Sequence, residues 1–216
     1  MKDVPDELLK QFIEACHDAA RRGLVRCSSG NMSLRIGEDR MLVTATRSWM
    51  GRLSAEDVVV CSIGEQRALN GIKPSAEIGI HAGILEARPD VNVAMHFQTP
   101  FASTLACRKV EDINYYVIPE IPFYIGPVAQ IPYFSPGSKE LAEAVTEAMR
   151  EHDMVVMSNH GQATVARDFD HAIQNAEFFE LACQIIVQGA GKVTPMCSDA
   201  AEQLLAMRRD ASSSGA

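Results

Sequence analysis

The sequence has 216 residues, of which 47% are hydrophobic and 22% are charged, a composition typical of one folded domain rather than of a disordered chain. The formal net charge is -8, which disfavours nucleic acid and anionic membranes as partners because both require a positive field. A small anionic substrate is still compatible with this charge, since a cation and a few local donors can reverse the sign inside a cleft.

The sequence also favours a cytoplasmic protein. Its first residues are charged and amphipathic, unlike a signal peptide, and no apolar run approaches the length of a membrane span. The six cysteines form no C-x-x-C pair, and several lie in apolar runs. We therefore expect free thiols in a reducing compartment.

The first half of the chain predicts one helix followed by strands. Apolar residues recur at helical spacing from Pro5 to about Gly23, which indicates a helix that ends at the glycine. The pattern then becomes alternating and β-branched, with glycines between the segments, as in an antiparallel sheet. Strands are expected at 31–36, 41–46 and 58–63.

The second half alternates helices with apolar strands. A helix from Glu77 should end before the Arg88-Pro89 pair, because a residue that precedes proline disfavours the helical region. Residues 116–133, rich in proline and aromatics, predict short strand pieces and loops. The remaining predicted elements are a strand at 91–97, a short helix at 99–107, a helix at 138–151, strands at 154–158 and 162–166, and a long helix from Asp168 to about Gln188.

These elements predict one α/β domain, with a mainly antiparallel sheet between helices on both faces. No internal repeat or interdomain linker interrupts residues 1–216. The folded core is expected over about residues 8–190, and the small polar residues at 210–216 predict a frayed tail.

Three side chains are candidates for a metal site. His96 ends an apolar strand, His160 lies in a turn between two apolar strands, and Glu77 lies at a helix start. Each alone has a structural explanation, but together they supply the mixed oxygen and nitrogen ligands of a catalytic divalent cation. His81 follows Glu77 by one helical turn, and we expect it to pack in the core with one ring nitrogen hydrogen-bonded.

Two short segments are candidates for binding an anion. Ser29, Gly30 and Asn31 offer a hydroxyl and unhindered backbone N–H groups, and Ser75 lies at a helix start, where free N–H groups and the helix dipole favour negative charge. Arg47 would add a charge-assisted contact. Both segments could equally be a turn or a helix cap.

In their order, five segments of the chain resemble the class II aldolase/adducin family, which includes L-fuculose-1-phosphate aldolase and L-ribulose-5-phosphate 4-epimerase. The segments are SSGNMSLR (28–35), LVTAT (42–46), KPSAEIGIH (73–81), EARPDVNVAMHFQTP (86–100) and SNHGQATVARDFDHAIQNAEFFE (158–180). The resemblance covers nearly the whole chain. It implies a three-layer α/β/α domain that forms a homotetramer with active sites at subunit interfaces.

The resemblance also implies a zinc site made by a glutamate, an H-x-H pair and a later histidine. On this sequence the glutamate is Glu77, which would also carry the catalytic proton, and the histidines are His96 and His160. Gln98 occupies the position of the second histidine of the pair. Because an amide oxygen is a harder and weaker ligand than imidazole, we expect weaker binding and a shift from zinc toward manganese, iron, cobalt or magnesium.

The family's phosphate-binding positions correspond to Ser29, Gly30, Asn31, Thr46 and Ser75. Two further positions depart from the family pattern: Ala76 replaces a common serine and Arg47 a common glycine. These departures make a carboxylate-bearing substrate a second possibility beside a phosphate.

The function that the resemblance implies is metal-dependent cleavage of a C–C bond in a small hydroxy-carbonyl anion, with an aldolase acting on a sugar phosphate as the first candidate. A metal-dependent decarboxylase or epimerase is the nearest alternative, because all three reactions pass through an enolate. A noncatalytic adducin-like interaction domain is the alternative of another class. A purely structural metal site is less favoured, because the sequence has no cysteine ligand pairs.

Overall fold

An eight-stranded mixed sheet forms the centre of the protein in a computed structural model that describes residues 4–108 and 113–213. The strands are β1 (Asn31–Arg35), β2 (Arg40–Thr44), β3 (Val58–Ser62), β4 (Arg67–Ala68), β5 (Val93–Phe97), β6 (Val128–Ile131), β7 (Met154–Met157) and β8 (Gly161–Ala166). Their order across the sheet is β4-β3-β2-β1-β5-β8-β7-β6. The β6–β7 pair is parallel and the other neighbours are antiparallel.

Helices cover both faces of the sheet. They are α1 (Asp6–Arg21), α2 (Ile78–Ala87), α3 (Pro100–Ala106), α4 (Lys139–Met149), α5 (Phe169–Gln188) and α6 (Ser198–Ser213). Helices α1, α3 and α5 bury their apolar side chains against one face, and α2 and α4 against the other. The predicted three-layer α/β/α domain is therefore confirmed. No helix of residues 4–108 and 113–213 is both long and apolar enough to cross a bilayer.

Alternation along the central strands decides which side chains face α1 and which face α2. In β1, Met32 and Leu34 belong to the core under α1, so Asn31 and Ser33 lie on the opposite face, toward α2. Strand β5 is buried along its whole length because helices cover both of its faces. Its Ala94 packs in the core under α2, which places His96 on that same face.

Helix α2 lies very close to α4. A Cβ atom added to Gly83 would lie 2.2 Å from Thr146 Oγ1, and one added to Gly79 would lie 3.0 Å from the Cβ of Ala142. Larger side chains at the two glycines would separate the helices. The glycines therefore allow α2, whose N-cap residue is Glu77, to pack closely against α4.

Three elements differ from the sequence-based expectation. Residues 116–133 contain a π-helix (Ile121–Ile125) besides the expected strand, β6. The two-residue strand β4 was not predicted, since it is too short to show a period. Helix α6 was not predicted either: residues 210–213 continue it where a frayed tail was expected, because the leucines, alanines and arginines before them favour a helix. Residues 214–216 lie outside the described part of the chain.

Helix α3 is held by a carboxylate from α5. Glu180 accepts hydrogen bonds from the backbone nitrogens of Phe101 (2.9 Å) and Ala102 (2.8 Å), which belong to the first turn of α3. These N–H groups have no partner within the helix, and a negative charge there also interacts favourably with the helix dipole.

We expect Glu180→Ala to lower the free energy of unfolding by about 1–3 kcal/mol, because it leaves two backbone donors of α3 unpaired. Urea unfolding followed by circular dichroism would measure the loss. The matched control is Glu177→Ala on the same helix, which removes an exposed ion pair with Arg22 and should cost under about 1 kcal/mol. Equal stability losses in the two variants would contradict the capping role.

Candidate metal centre

Glu77, His96 and His160 come together at one point on the α2 side of the sheet. One ligand atom from each of the three residues lies within 4.8 Å of the others. The Nε2 atom of His160 is 3.2 Å from Glu77 Oε1, and the Nε2 atom of His96 is 3.6 Å from Glu77 Oε2. The three side chains are at least nine-tenths buried. The predicted gathering of these residues therefore occurs in the structure.

Each ligand comes from the end of a different element. Glu77 is the N-cap residue of α2, and His96 lies near the end of β5, where it pairs with Ala163 of β8. His160 belongs to the turn between β7 and β8, and its backbone nitrogen donates to Met157. The preceding residue, Asn159, has φ of 55°, a left-handed conformation that asparagine tolerates well.

Gly161 allows the two histidines to approach each other. A Cβ atom at this position would lie 2.9 Å from Cε1 of His96 and 2.7 Å from Cγ of Gln98. With glycine there, the ring centroids of His96 and His160 are 4.9 Å apart in an edge-to-face arrangement. Any larger residue at 161 would move at least one ring.

The hydrogen bond of His96 fixes the orientation of its ring. Its Nδ1 atom lies 2.8 Å from the backbone carbonyl oxygen of Gln162, and because a carbonyl only accepts, Nδ1 carries the proton. The Nε2 lone pair of the neutral ring therefore points into the cluster. Burial lowers the pKa of His96 and keeps the ring neutral, the form that binds metals.

The carboxylate of Glu77 is strongly acidic. Burial alone would raise its pKa, but the electrostatic influence of the His96 and His160 rings and a hydrogen bond from Asn31 outweigh this effect and hold the pKa well below its usual range. Glu77 is thus a negative charge at neutral pH. It is buried, and no described residue donates a hydrogen bond to its Oε1 atom.

A hydrogen-bonded chain connects Glu77 to the interior of the sheet. Asn31 Nδ2 donates to Glu77 Oε2 (2.8 Å), and Asn31 Oδ1 lies 2.5 Å from Nε2 of His81. The other ring nitrogen of His81 lies 2.8 Å from Ser33 Oγ. Burial lowers the pKa of His81 to about 4, so the ring is neutral near pH 7. The sequence-based reading expected one bonded nitrogen on His81, and the structure has both bonded.

The residues predicted to bind an anion lie in two groups. Thr46 and Ser75 are on adjoining loops, because the nitrogen of Ser75 donates to Thr44 and that of Thr46 donates to Lys73. Ser75 Oγ also accepts from the backbone nitrogen of Glu77 (3.2 Å), so Ser75 helps to shape the start of α2. Arg47 follows on the same loop, exposed and with φ of 61°.

The second group is occupied by internal contacts. Ser29 Oγ both donates to the carbonyl of Arg26 and accepts from its nitrogen. Gly30 has φ of 76°, and a Cβ atom there would lie 2.8 Å from the carbonyl oxygen of His96 and 2.4 Å from Val25. Both polar groups of Asn31 are bonded to protein, as described above. This group therefore holds β1 against β5 at the site.

Gln98 contacts the site through a backbone group. Its Nε2 donates to the carbonyl oxygen of His160 at 3.0 Å. This bond fixes the amide plane beside the turn that carries His160 and leaves the side-chain carbonyl oxygen as the atom of Gln98 that a cation could attract.

The donor set fits a divalent cation. Two imidazoles and one carboxylate provide the nitrogen and oxygen ligands of such a cation, and the buried Oε1 atom of Glu77, which accepts no hydrogen bond from the described residues, would be satisfied by a positive partner. Three protein ligands also leave coordination positions for substrate, as in catalytic rather than structural sites. The cluster is thus consistent with a divalent metal site.

Comparison with known proteins supports this assignment. Residues 10–187 match the model of the class II aldolase and adducin N-terminal domain. A 3-oxo-tetronate 4-phosphate decarboxylase from Haemophilus influenzae is 32% identical over 162 residues, 74% of this chain and 77% of the relative. An L-fuculose phosphate aldolase from Methanococcus maripaludis is 31% identical over 179 residues, 82% and 94% of the two chains.

Solved structures share the fold. YgbL from Klebsiella pneumoniae superposes with a TM-score of 0.86 at 22% identity, over 92% of this chain and 97% of that chain. An L-fuculose 1-phosphate aldolase gives a TM-score of 0.83 at 21% identity, over 95% and 98% of the two chains. The match over residues 10–187, together with the relatives that are more than 30% identical, shows that the chain belongs to the class II aldolase and adducin family.

Proposed function

We propose that the protein is a metal-dependent lyase that cleaves a C–C bond beside a carbonyl group in a small anionic substrate, and that aldol cleavage of a sugar phosphate is its activity. The observation that carries this proposal is the convergence of Glu77, His96 and His160, with Glu77 Oε1 buried and accepting no hydrogen bond from the part of the chain that the structure describes. The relative from Methanococcus maripaludis that is named an L-fuculose phosphate aldolase supports the same reaction.

The three ligands would hold one divalent cation, zinc or, because of Gln98, manganese, iron, cobalt or magnesium. Such a cation supplies Lewis-acid stabilisation of the negative charge that develops on the substrate oxygen when the C–C bond breaks. The neutral ring of His96 adds no charge of its own beside the carboxylate of Glu77. Gln98 would act as a fourth ligand through its carbonyl oxygen.

Glu77 would carry the proton. In aldol cleavage its carboxylate accepts the proton of the substrate hydroxyl, the C–C electrons move toward the carbonyl, and the same group returns a proton to the new carbanion. Oε1 is the oxygen suited to this exchange, since Oε2 is engaged by Asn31. The low pKa of Glu77 must rise when substrate enters, which burial of the charge in a drier site would cause.

Thr46, Arg47 and Ser75 would bind the anionic end of the substrate and so set which bond lies over the ligands. Ser29, Gly30 and Asn31 stay predicted contacts from the family pattern, although the Ser29 hydroxyl and the Asn31 amide are already bonded within the protein. The homotetramer with active sites at subunit interfaces also stays a prediction, which sedimentation velocity would check.

Decarboxylation of an oxo acid is the second candidate, favoured by Arg47. A non-glycine residue in the left-handed region costs about 1–2 kcal/mol, and such strain is concentrated at functional sites. The exposed guanidinium of Arg47 can bind a carboxylate as readily as a phosphate. The relative from Haemophilus influenzae named a decarboxylase is similar at comparable identity.

Product analysis would test the proposal. Protein loaded with manganese, cobalt or zinc is incubated with ketose 1-phosphates and, separately, with phosphorylated 3-oxo acids. Aldol cleavage releases an aldehyde and a hydroxyketone phosphate, whereas decarboxylation releases carbon dioxide, and carbon-13 NMR separates the two outcomes. We expect cleavage of at least one ketose phosphate. A metal-loaded protein that yields neither kind of product would contradict a lyase function.

A further inference from the structure

We propose that Asn31 and His81 are positioning residues that hold one oxygen of the Glu77 carboxylate, so that the other oxygen stays free for the cation and for the proton. What the free oxygen does rests on the proposed function. The positioning itself is a property of the fold that metal binding alone can report, without any substrate.

The two oxygens of Glu77 differ in their surroundings. Oε2 accepts a 2.8 Å hydrogen bond from Asn31 Nδ2, while Oε1 receives none from the described residues and faces Nε2 of His160. Since a hydrogen bond to one oxygen restricts rotation of the carboxylate, Asn31 helps to fix the direction of both oxygens. Both oxygens face a histidine of the cluster, with Oε2 3.6 Å from Nε2 of His96, but Oε1 is the one whose lone pairs are not shared with Asn31 and is therefore the better placed to bind a cation.

His81 in turn fixes Asn31. The amide of Asn31 has two ends, and its Nδ2 end must face Glu77 because a carboxylate only accepts. Its Oδ1 end then faces Nε2 of His81, so this ring nitrogen carries a proton and Nδ1 accepts from Ser33 Oγ. A flipped amide would set two acceptors against each other at Glu77, and the proton of His81 prevents the flip.

The hydrogen bonds that link Ser33, His81, Asn31 and Glu77 all have their donors on the same side. Ser33 donates to His81, His81 donates to Asn31, and Asn31 donates to Glu77. Hydrogen bonds aligned in this way polarise one another, and the negative charge of Glu77 at the end strengthens each of them. Because Asn31 and Ser33 are 8% and 0% exposed and His81 is 1% exposed, water does not compete with these bonds.

The same hydrogen bonds also connect strand β1 to helix α2. Glu77 and His81 are one turn apart at the start of α2, and Asn31 reaches both of them from β1. Asn31 is in addition the cross-strand partner of His96, so one residue contacts the carboxylate ligand and pairs with the histidine ligand of the neighbouring strand. Replacing Asn31 or His81 by a residue that cannot make these hydrogen bonds should therefore weaken metal binding by Glu77, His96 and His160.

The test compares His81→Leu, His81→Gln and Asn31→Ala with the wild-type protein, using cobalt(II) as the probe. Cobalt affinity is measured by competition with a chelating indicator, and the visible cobalt spectrum reports the ligand geometry. We expect about 10–100-fold weaker binding and an altered spectrum in His81→Leu and Asn31→Ala, the range found when the partners that orient metal ligands are removed. His81→Gln should recover most of the affinity, since its amide N–H can donate to Asn31.

His152→Leu is the matched control, because His152 is half-buried and its Nδ1 donates only to the carbonyl of Ala148. Wild-type cobalt affinity and spectrum in folded Asn31→Ala and His81→Leu would overturn the proposal, as would His81→Gln binding no better than His81→Leu. If His81→Leu does not fold, Asn31→Ala decides. A wild-type protein that binds cobalt but cleaves no substrate would refute the lyase function and leave the positioning role intact.

Discussion

One divalent cation per chain is expected in the wild-type protein and none in His96→Ala or His160→Ala. Each alanine removes an imidazole nitrogen that faces Glu77, at 3.6 Å from His96 and 3.2 Å from His160. Removing only the outer partners of a ligand costs about 10–100-fold in affinity, so losing a ligand should cost more. Elemental analysis by mass spectrometry, on protein purified without added metal, measures the content.

His152→Ala serves as the control, since His152 lies outside the cluster and should leave the metal content unchanged. The identity of the metal tests Gln98. Chelator-resistant, stoichiometric zinc would contradict the expected weakening by an amide ligand. A wild-type protein that takes up no manganese, iron, cobalt or zinc would favour the noncatalytic, adducin-like interaction domain over a lyase.

Glu77→Gln should keep a cation, though more weakly, and lose about 10²–10⁴-fold in turnover, the usual contribution of a general acid–base group. Glutamine has the shape of glutamate, but its single carbonyl oxygen can serve either Asn31 or the cation, so binding weakens while His96 and His160 remain as ligands. It carries no exchangeable acidic proton, so the proton transfer is lost. Steady-state kinetics at saturating metal, with a substrate found by the product analysis, would measure the change.

The matched control is Glu86→Gln, on the exposed side of the same helix. This variant should retain wild-type kinetics, because the side chain is in solvent and away from the ligands. Turnover in Glu77→Gln within a few-fold of the wild-type value would refute the proton-transfer role and leave Glu77 as a metal ligand only.

Much of this fold could be predicted from periodicity. Helix α1 and strands β1 to β3 lie within one or two residues of their expected positions, because each shows a clear helical or alternating pattern. Helix α6 and the π-helix were missed. The second, which contains Pro122, packs against α5 and α6, contacts between distant segments that no local pattern records.

For the site, the sequence indicated the three candidate ligands but not the hydrogen bonds that connect them to other residues. Glu77, His96 and His160 could be proposed from residue type and position, and the family pattern named the same three. The link from Asn31 to His81 depends on the register of β1 against β5 and on the depth of α2, neither of which a single sequence specifies. The one available signal was that His81 follows Glu77 by four residues, on the same helix face.

The central sheet order has a consequence for folding kinetics. The proposed metal ligands lie at 77, 96 and 160, and the strands β1, β5 and β8 near them are neighbours in the sheet but distant in the chain. Such non-local pairings form late, after the cost of closing long loops has been met. A cation that requires all three ligands can bind only after these pairings exist. Bound metal should therefore slow unfolding of the native domain and leave the folding rate nearly unchanged.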